Sequence, residues 1–101
     1  MTKLDLISAD EIDDYVGNPD FLIIDLRDRK EYERGHIVGA VNMPYEHLTD
    51  HVCLPRGKGL ILYCERGSAS MAEGKVLAER GYRVKTVIGG MHAYRGKYLT
   101  K

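Results

Sequence analysis

An α/β fold built on a mostly parallel sheet is what the sequence predicts, and three observations predict it. Phe21-Leu22-Ile23-Ile24 and Leu60-Ile61-Leu62-Tyr63 are continuous apolar runs, the pattern of strands covered on both faces. Val84 to Ile88 is a third, more alternating run. Helical signals lie between these runs, the alternation that builds α/β domains. With 101 residues the chain is long enough to bury a core without disulfides. Residues 1–101 contain no repeat, linker or low-complexity segment and are expected to form one domain.

Taken in order, Leu4-Asp5-Leu6-Ile7 is a weak first strand. Ser8-Ala9-Asp10-Glu11 has the form of a capping box, with Ser8 accepting from the Glu11 backbone and Glu11 reaching back. Ile12, Tyr15 and Val16 give the following helix one apolar face, and Gly17-Asn18-Pro19 stops it. The second strand, Phe21 to Ile24, runs into Asp25. Ala40-Val41-Asn42 is a short strand, and Leu60 to Tyr63 runs into Cys64. Ser70 to Arg80 reads as a helix closed by Gly81, with Ala72, Val76 and Leu77 turned to the sheet. Val84 to Ile88 runs into Gly89-Gly90. Open parallel sheets bind ligands beyond the carboxyl ends of their strands. Asp25, Cys64 and Gly89-Gly90 therefore mark the candidate site.

Lys+Arg and Asp+Glu each number 15, so the formal net charge is zero, which argues against a nucleic-acid partner. The apolar fraction of 44% is that of a globular protein. No apolar run approaches the roughly 20 residues that cross a bilayer, so no membrane partner is expected. The acidic N-terminus MTKLDLISADEIDD does not resemble a secretory signal. A cytoplasmic location is expected, where the two cysteines, Cys53 and Cys64, would be free thiols.

The stretch CERGSAS, residues 64–70, follows a buried strand and precedes a helix. A thiolate is the nucleophilic form of cysteine, and a free thiol is mostly protonated at neutral pH because its pKa is about 8.5. A short loop with Gly67 can turn successive N–H groups inward as an anion-binding nest. The helix that follows aims its positive end at the same point. Ser68 and Ser70 offer hydroxyl donors. A small core cysteine capping a strand is the plain alternative, and the glycine-containing loop at a helix start favours chemistry.

Three segments together, DLRDRKEYERGHIVGAVNMP at 25–44, CERGSAS, and VIGGMHAY at 87–94, resemble the single-domain rhodanese-like sulfurtransferases. The resemblance runs from ISADE through GGMHAY. It implies a three-layer α/β/α fold with a central, mostly parallel five-stranded sheet. It also implies that Cys64 bears a persulfide, within an active loop of Glu65, Arg66, Gly67, Ser68, Ala69 and Ser70. Asp25 and Arg27 match the family's D-x-R motif and, with Glu31 and His36, are expected to support the loop as a structural network.

The implied activity moves a sulfane sulfur through Cys64. The donor is a small anion such as thiosulfate, or a low-molecular-weight or protein persulfide, and the acceptor is a thiol or another nucleophile. Covalent catalysis by an activated cysteine calls for no metal and no cofactor. Tyr94 stands where the family often has tryptophan, a change that keeps packing. The loop carries one cation, Arg66, beside one anion, Glu65, and Ala69 replaces a commonly polar or basic residue, which weakens the case for dianionic thiosulfate. Alternatives are a persulfide carrier and a non-catalytic regulatory module. A cysteine phosphatase would need an arginine at the position of Ser70.

His47, His51 and Cys53 form H-x3-H-x-C, a spacing that can bind zinc on a helix. With no fourth ligand evident, solvated histidines and a structural cysteine are expected instead. Arg56, Lys58 and Arg66 are candidates for a basic rim near the loop. Arg80, Arg83 and Lys85 read as an exposed edge.

Overall fold

The computed structural model describes residues 4–45 and 54–101. Five parallel strands form the central sheet: β1 (Leu4–Ile7), β2 (Phe21–Asp25), β4 (Val41–Asn42), β5 (Gly59–Tyr63) and β6 (Val84–Val87). Their spatial order is β1-β6-β5-β2-β4, so the wholly buried β5 lies at the centre. The remaining strands, β3 (His36–Ile37) and β7 (Leu99–Thr100), make a small antiparallel pair. Helices among the described residues include α1 (Arg29–Arg34), α2 (Ser68–Glu79) and α3 (Gly90–Ala93), with a 3-10 helix at Ala9–Tyr15.

The continuous apolar runs are explained by two covered faces. Leu22, Ile24, Leu60, Leu62 and Val84 pack with Leu77 and Ala78 of α2 on one face. Ile23, Ile61, Tyr63 and Val87 pack with Ile12 of the 3-10 helix and Tyr94 on the other. Successive side chains of a strand point to opposite faces, so a strand between two layers needs an apolar residue at every position.

Several elements depart from the sequence reading. The Ser8–Glu11 pair is present, but the helix it opens is 3-10: the Glu11 N–H donates to the Ser8 carbonyl at 3.1 Å. The Glu11 carboxylate accepts from the Ser8 hydroxyl at 3.2 Å and from the Ser8 N–H at 3.3 Å. The short strand begins at Val41 rather than Ala40, and α2 begins at Ser68, inside the loop, rather than at Ser70. Ala72 is exposed; the buried face of α2 is Ser70, Glu73, Gly74, Leu77 and Ala78. Gly74 sets that face. A β-carbon there would lie 2.6 Å from Thr86 Cγ2, so only glycine lets the helix approach β6 this closely.

Arg56 and Lys58 do not rim the active loop. Arg56 donates to the Arg80 carbonyl at 2.8 Å and lies over the Tyr82 ring, at the C-terminal end of α2. Lys58 precedes β5, whereas the loop follows it. Lys85 pairs with Asp5 at 3.3 Å. His47, His51 and Cys53 lie outside the described residues. No helix among the described residues is long and apolar enough to cross a membrane.

Candidate active site

The sheet order locates the site before any side chain is considered. After β2 the chain moves outward to β4, and after β5 it moves the other way to β6. The two exits diverge between β2 and β5, and such a switch point opens a crevice at the carboxyl ends of the strands. Asp25 ends β2, and Cys64 directly follows β5.

Cys64 is a free thiol, 4% exposed, at the floor of a cleft of about 400 Å³. Leu26, Arg27, Asp28, Glu31, Glu65, Arg66, Ser68 and Ala69 complete the lining. Its Sγ accepts two backbone hydrogen bonds, from the Gly67 N–H at 3.0 Å and the Ser70 N–H at 3.4 Å. The donors converge because Gly67, at the N-cap of α2, is left-handed with φ of 103°, a turn other residues rarely make. The Ser70 hydroxyl is not free for an anion, since it donates to the Gly67 carbonyl at 3.1 Å and braces the turn. Fully buried, Ser70 faces the sulfur with its backbone rather than its side chain.

The loop is held from below by α3. The N–H groups of Met91 and His92 donate to the carbonyls of Cys64 and Glu65 at 2.8 and 2.9 Å. Gly90 permits this approach: with φ of 57° it lies where a β-carbon would run into the Cys64 carbonyl and the Glu65 backbone. The double glycine was legible as a strand end at the site; its work as the loop's floor was not.

Asp25 and Arg27 form a buried pair. Arg27 Nη2 donates to Asp25 Oδ2 at 2.8 Å, Nε donates to Oδ1 at 3.1 Å, and the Arg27 N–H donates to Oδ1 at 2.9 Å. Burial opposes the guanidinium charge, but the bonds and charge of Asp25, aided by Glu65, outweigh it and raise the Arg27 pKa. The same guanidinium donates to the Gly35 carbonyl at the end of α1 and lies 3.5 Å from the Glu65 carboxylate. Asn42 completes the turn by donating to the carbonyls of Asp25 and Arg27. Tyr63, pushed above its usual pKa by burial and by the Asp25 charge, keeps its proton and accepts from the Ile37 N–H.

The other named residues separate. His36, in β3, stacks on Tyr32 at 3.7 Å, and its Nδ1 is 2.8 Å from the Tyr32 carbonyl, so it packs against α1 and does not line the cleft. Glu31 lines the cleft, and its backbone N–H donates to the Asp28 side chain that caps α1. Helix α1 itself was not anticipated. Its signals are the Asp28 cap followed three residues later by Glu31, and Gly35 at its end. Among the described residues, no group of three His, Cys, Asp or Glu could hold a metal ion.

Residues 8–97 match the rhodanese-like domain model. The chain belongs to the rhodanese-like domain family. It is 34% identical over 87 residues to a tRNA sulfurtransferase of Desulfurococcus amylolyticus, covering 86% of this chain and 17% of that protein. Among solved structures, the reduced CoADR-RHD of Bacillus anthracis superposes with a TM-score of 0.84 at 33% identity, covering 91% of this chain and 16% of that one. A rhodanese-like domain protein from Staphylococcus aureus shares the fold, with a TM-score of 0.83 and 24% identity, covering 95% of this chain and 96% of its own length. This chain spans 17% to 28% of the length of the first curated relatives it matches.

Proposed function

We propose that this rhodanese-like protein is a sulfurtransferase that carries a sulfane sulfur on Cys64. One observation carries the reading: Cys64 Sγ faces an open cleft and accepts two backbone N–H bonds at the start of a 12-residue helix. Fixed donors and a helix terminus stabilise negative charge on sulfur without moving during the reaction. The activity in the name of the Desulfurococcus relative supports the same chemistry.

The cycle has two displacements. With thiosulfate, the Cys64 thiolate attacks the outer sulfur, the S–S bond breaks, and sulfite leaves with the bonding electrons. The Cys64 persulfide then meets an acceptor thiolate. That thiolate takes the outer sulfur, and Cys64 leaves as the thiolate it was. The inner sulfur keeps the Gly67 and Ser70 donors in both halves. Electrons and atoms balance with no metal or organic cofactor.

Intact-mass spectrometry tests this. Reduced protein incubated with thiosulfate or an organic persulfide should gain one sulfur atom, lose it on addition of thiol, and gain none as Cys64→Ser. No gain from any donor would remove the transferase reading and leave a binding module.

A further inference from the structure

Helix α3 is a single turn of four residues. A helix this short has little stability of its own, because nucleation costs more than its few hydrogen bonds return. Yet it carries the N–H groups that hold the Cys64 and Glu65 carbonyls. Its position must therefore be fixed from both ends. The start follows β6 across Ile88 and Gly89. The end is closed by Tyr94, whose N–H donates to the Met91 carbonyl at 3.1 Å.

Tyr94 is anchored through its hydroxyl. It donates to Asp13 Oδ1 at 2.6 Å, the length of a bond to a charged acceptor, and accepts from the Tyr98 N–H at 2.8 Å. Asp13 stands on the 3-10 helix, and its other oxygen accepts from the Lys97 N–H at 3.4 Å. Gly96 leaves room for the pair: a β-carbon there would run into both the hydroxyl and the carboxylate. The ring packs among Ile12, Tyr63 and Val87, a space that a hydrocarbon ring would fill as well. What the hydroxyl adds is direction, since a hydrogen bond fixes an angle and packing alone does not.

We propose that the Asp13–Tyr94 hydrogen bond is a positioning latch for the active loop, fixing the end of α3 so that α3 in turn fixes the loop that holds the sulfur. The inference rests on the sulfur-transfer reading above for the reaction that the latch serves. Neither residue lines the cleft at Cys64, so both act through others. The path is short and each link is a hydrogen bond: Asp13 to Tyr94, Tyr94 to Met91, and Met91 to Cys64. The sulfur is sensitive to such a shift, because its bond from the Ser70 N–H is already long at 3.4 Å.

The test compares Tyr94→Phe, which keeps the ring, with Asp13→Ala, Asp13→Asn and the double variant Asp13→Ala with Tyr94→Phe. Ile12→Val is the control, since it loosens the same 3-10 helix without touching the bond. Two quantities are read on folded protein: hydrogen exchange of the Met91 and His92 amides relative to amides of β5, and the rate of sulfur loading on Cys64 from thiosulfate and from 2-hydroxyethyl persulfide. In Tyr94→Phe and Asp13→Ala the relative exchange should rise about tenfold and loading should fall about tenfold. The double variant should lose no more than either single one, as expected of one shared bond. Asp13→Asn keeps an acceptor for the hydroxyl and should stay near the parent.

Unchanged exchange at Met91 and His92 in Tyr94→Phe, or an equal change in Ile12→Val, overturns the latch. Faster exchange with unchanged loading overturns its action on the active loop while leaving sulfur transfer intact. Loading from neither donor in the parent would instead overturn sulfur transfer, and with it the latch's part in that reaction.

Discussion

Arg27 reaches three segments at once: Asp25 beside it, the Gly35 carbonyl at the end of α1, and Glu65 in the active loop. The D-x-R spacing is what allows this, because the turn after β2 folds the Arg27 backbone and side chain onto one carboxylate. Removing the guanidinium would strand Asp25, which is fully buried, without its countercharge. Arg27→Ala should therefore cost about 3–5 kcal/mol in urea unfolding, the usual penalty for breaking a buried pair. A loss below about 1 kcal/mol would place the pair in the class of exposed salt bridges. Asp25 and Arg27 were readable as partners in sequence. The separation of His36 from the cleft was not, because a stacking partner four residues earlier leaves no sign in a G-H-I motif.

At the level of elements, the active loop is set between two helix starts. The first turn of α2 supplies the donors to sulfur, and the first turn of α3 supplies donors to the loop carbonyls. Gly90 stands where α3 meets the loop, and its obstruction is backbone, which cannot swing aside as a side chain would. Gly90→Ala is expected to cost about 1–3 kcal/mol, as overpacking does, and to slow sulfur loading as the loop shifts. Thermal melting and loading rates check this together; a variant as stable and as fast as the parent would show that the loop does not depend on α3. Gly74 poses a closer contest. Alanine there gains about 1 kcal/mol of helix propensity, but its β-carbon meets Thr86, a buried residue of β6 with little freedom to move. The apolar runs told where β2, β5 and β6 lie. They did not tell which face of α2 is buried, because a glycine carries no hydrophobic signal.

Across the whole molecule, distant segments are joined by a few buried polar groups. The Tyr94 hydroxyl donates to Asp13 at 2.6 Å and accepts the Tyr98 N–H, tying the C-terminal segment to the 3-10 helix. Burial, with the Asp13 bond, pushes Tyr94 up to about 12, so it remains a donor at any physiological pH. Glu73 is the opposite case. It is 2% exposed, and its Oε1 has no hydrogen-bond partner among the described residues. Burial raises its pKa, and the Arg80 charge only partly offsets this. The folded state then holds the proton more tightly than the unfolded chain. Stability is greatest below the ordinary carboxylate pKa and falls as pH rises through the raised one. Glu73→Gln should accordingly raise the melting temperature at neutral pH, by an amount that shrinks toward zero as the solution is acidified. An equal gain at every pH would mean that the charge of Glu73 has no part in it.

The sequence by itself determined the α/β class, the three principal strands, the family and the position of Cys64 at a strand end. Those follow from short-range facts: apolar runs, a glycine loop, and motifs whose residues lie within a few positions of one another. The tertiary structure alone decided what surrounds the sulfur. Residues 25–35, 64–70 and 89–92 meet there because the sheet order turns β2 and β5 apart. It also decided where charges are spent: Arg56 is drawn away to α2, and Arg27 is neutralised by Asp25. A charge in a sequence has no partner until the chain folds, so the character of a site built from distant segments emerges only in three dimensions.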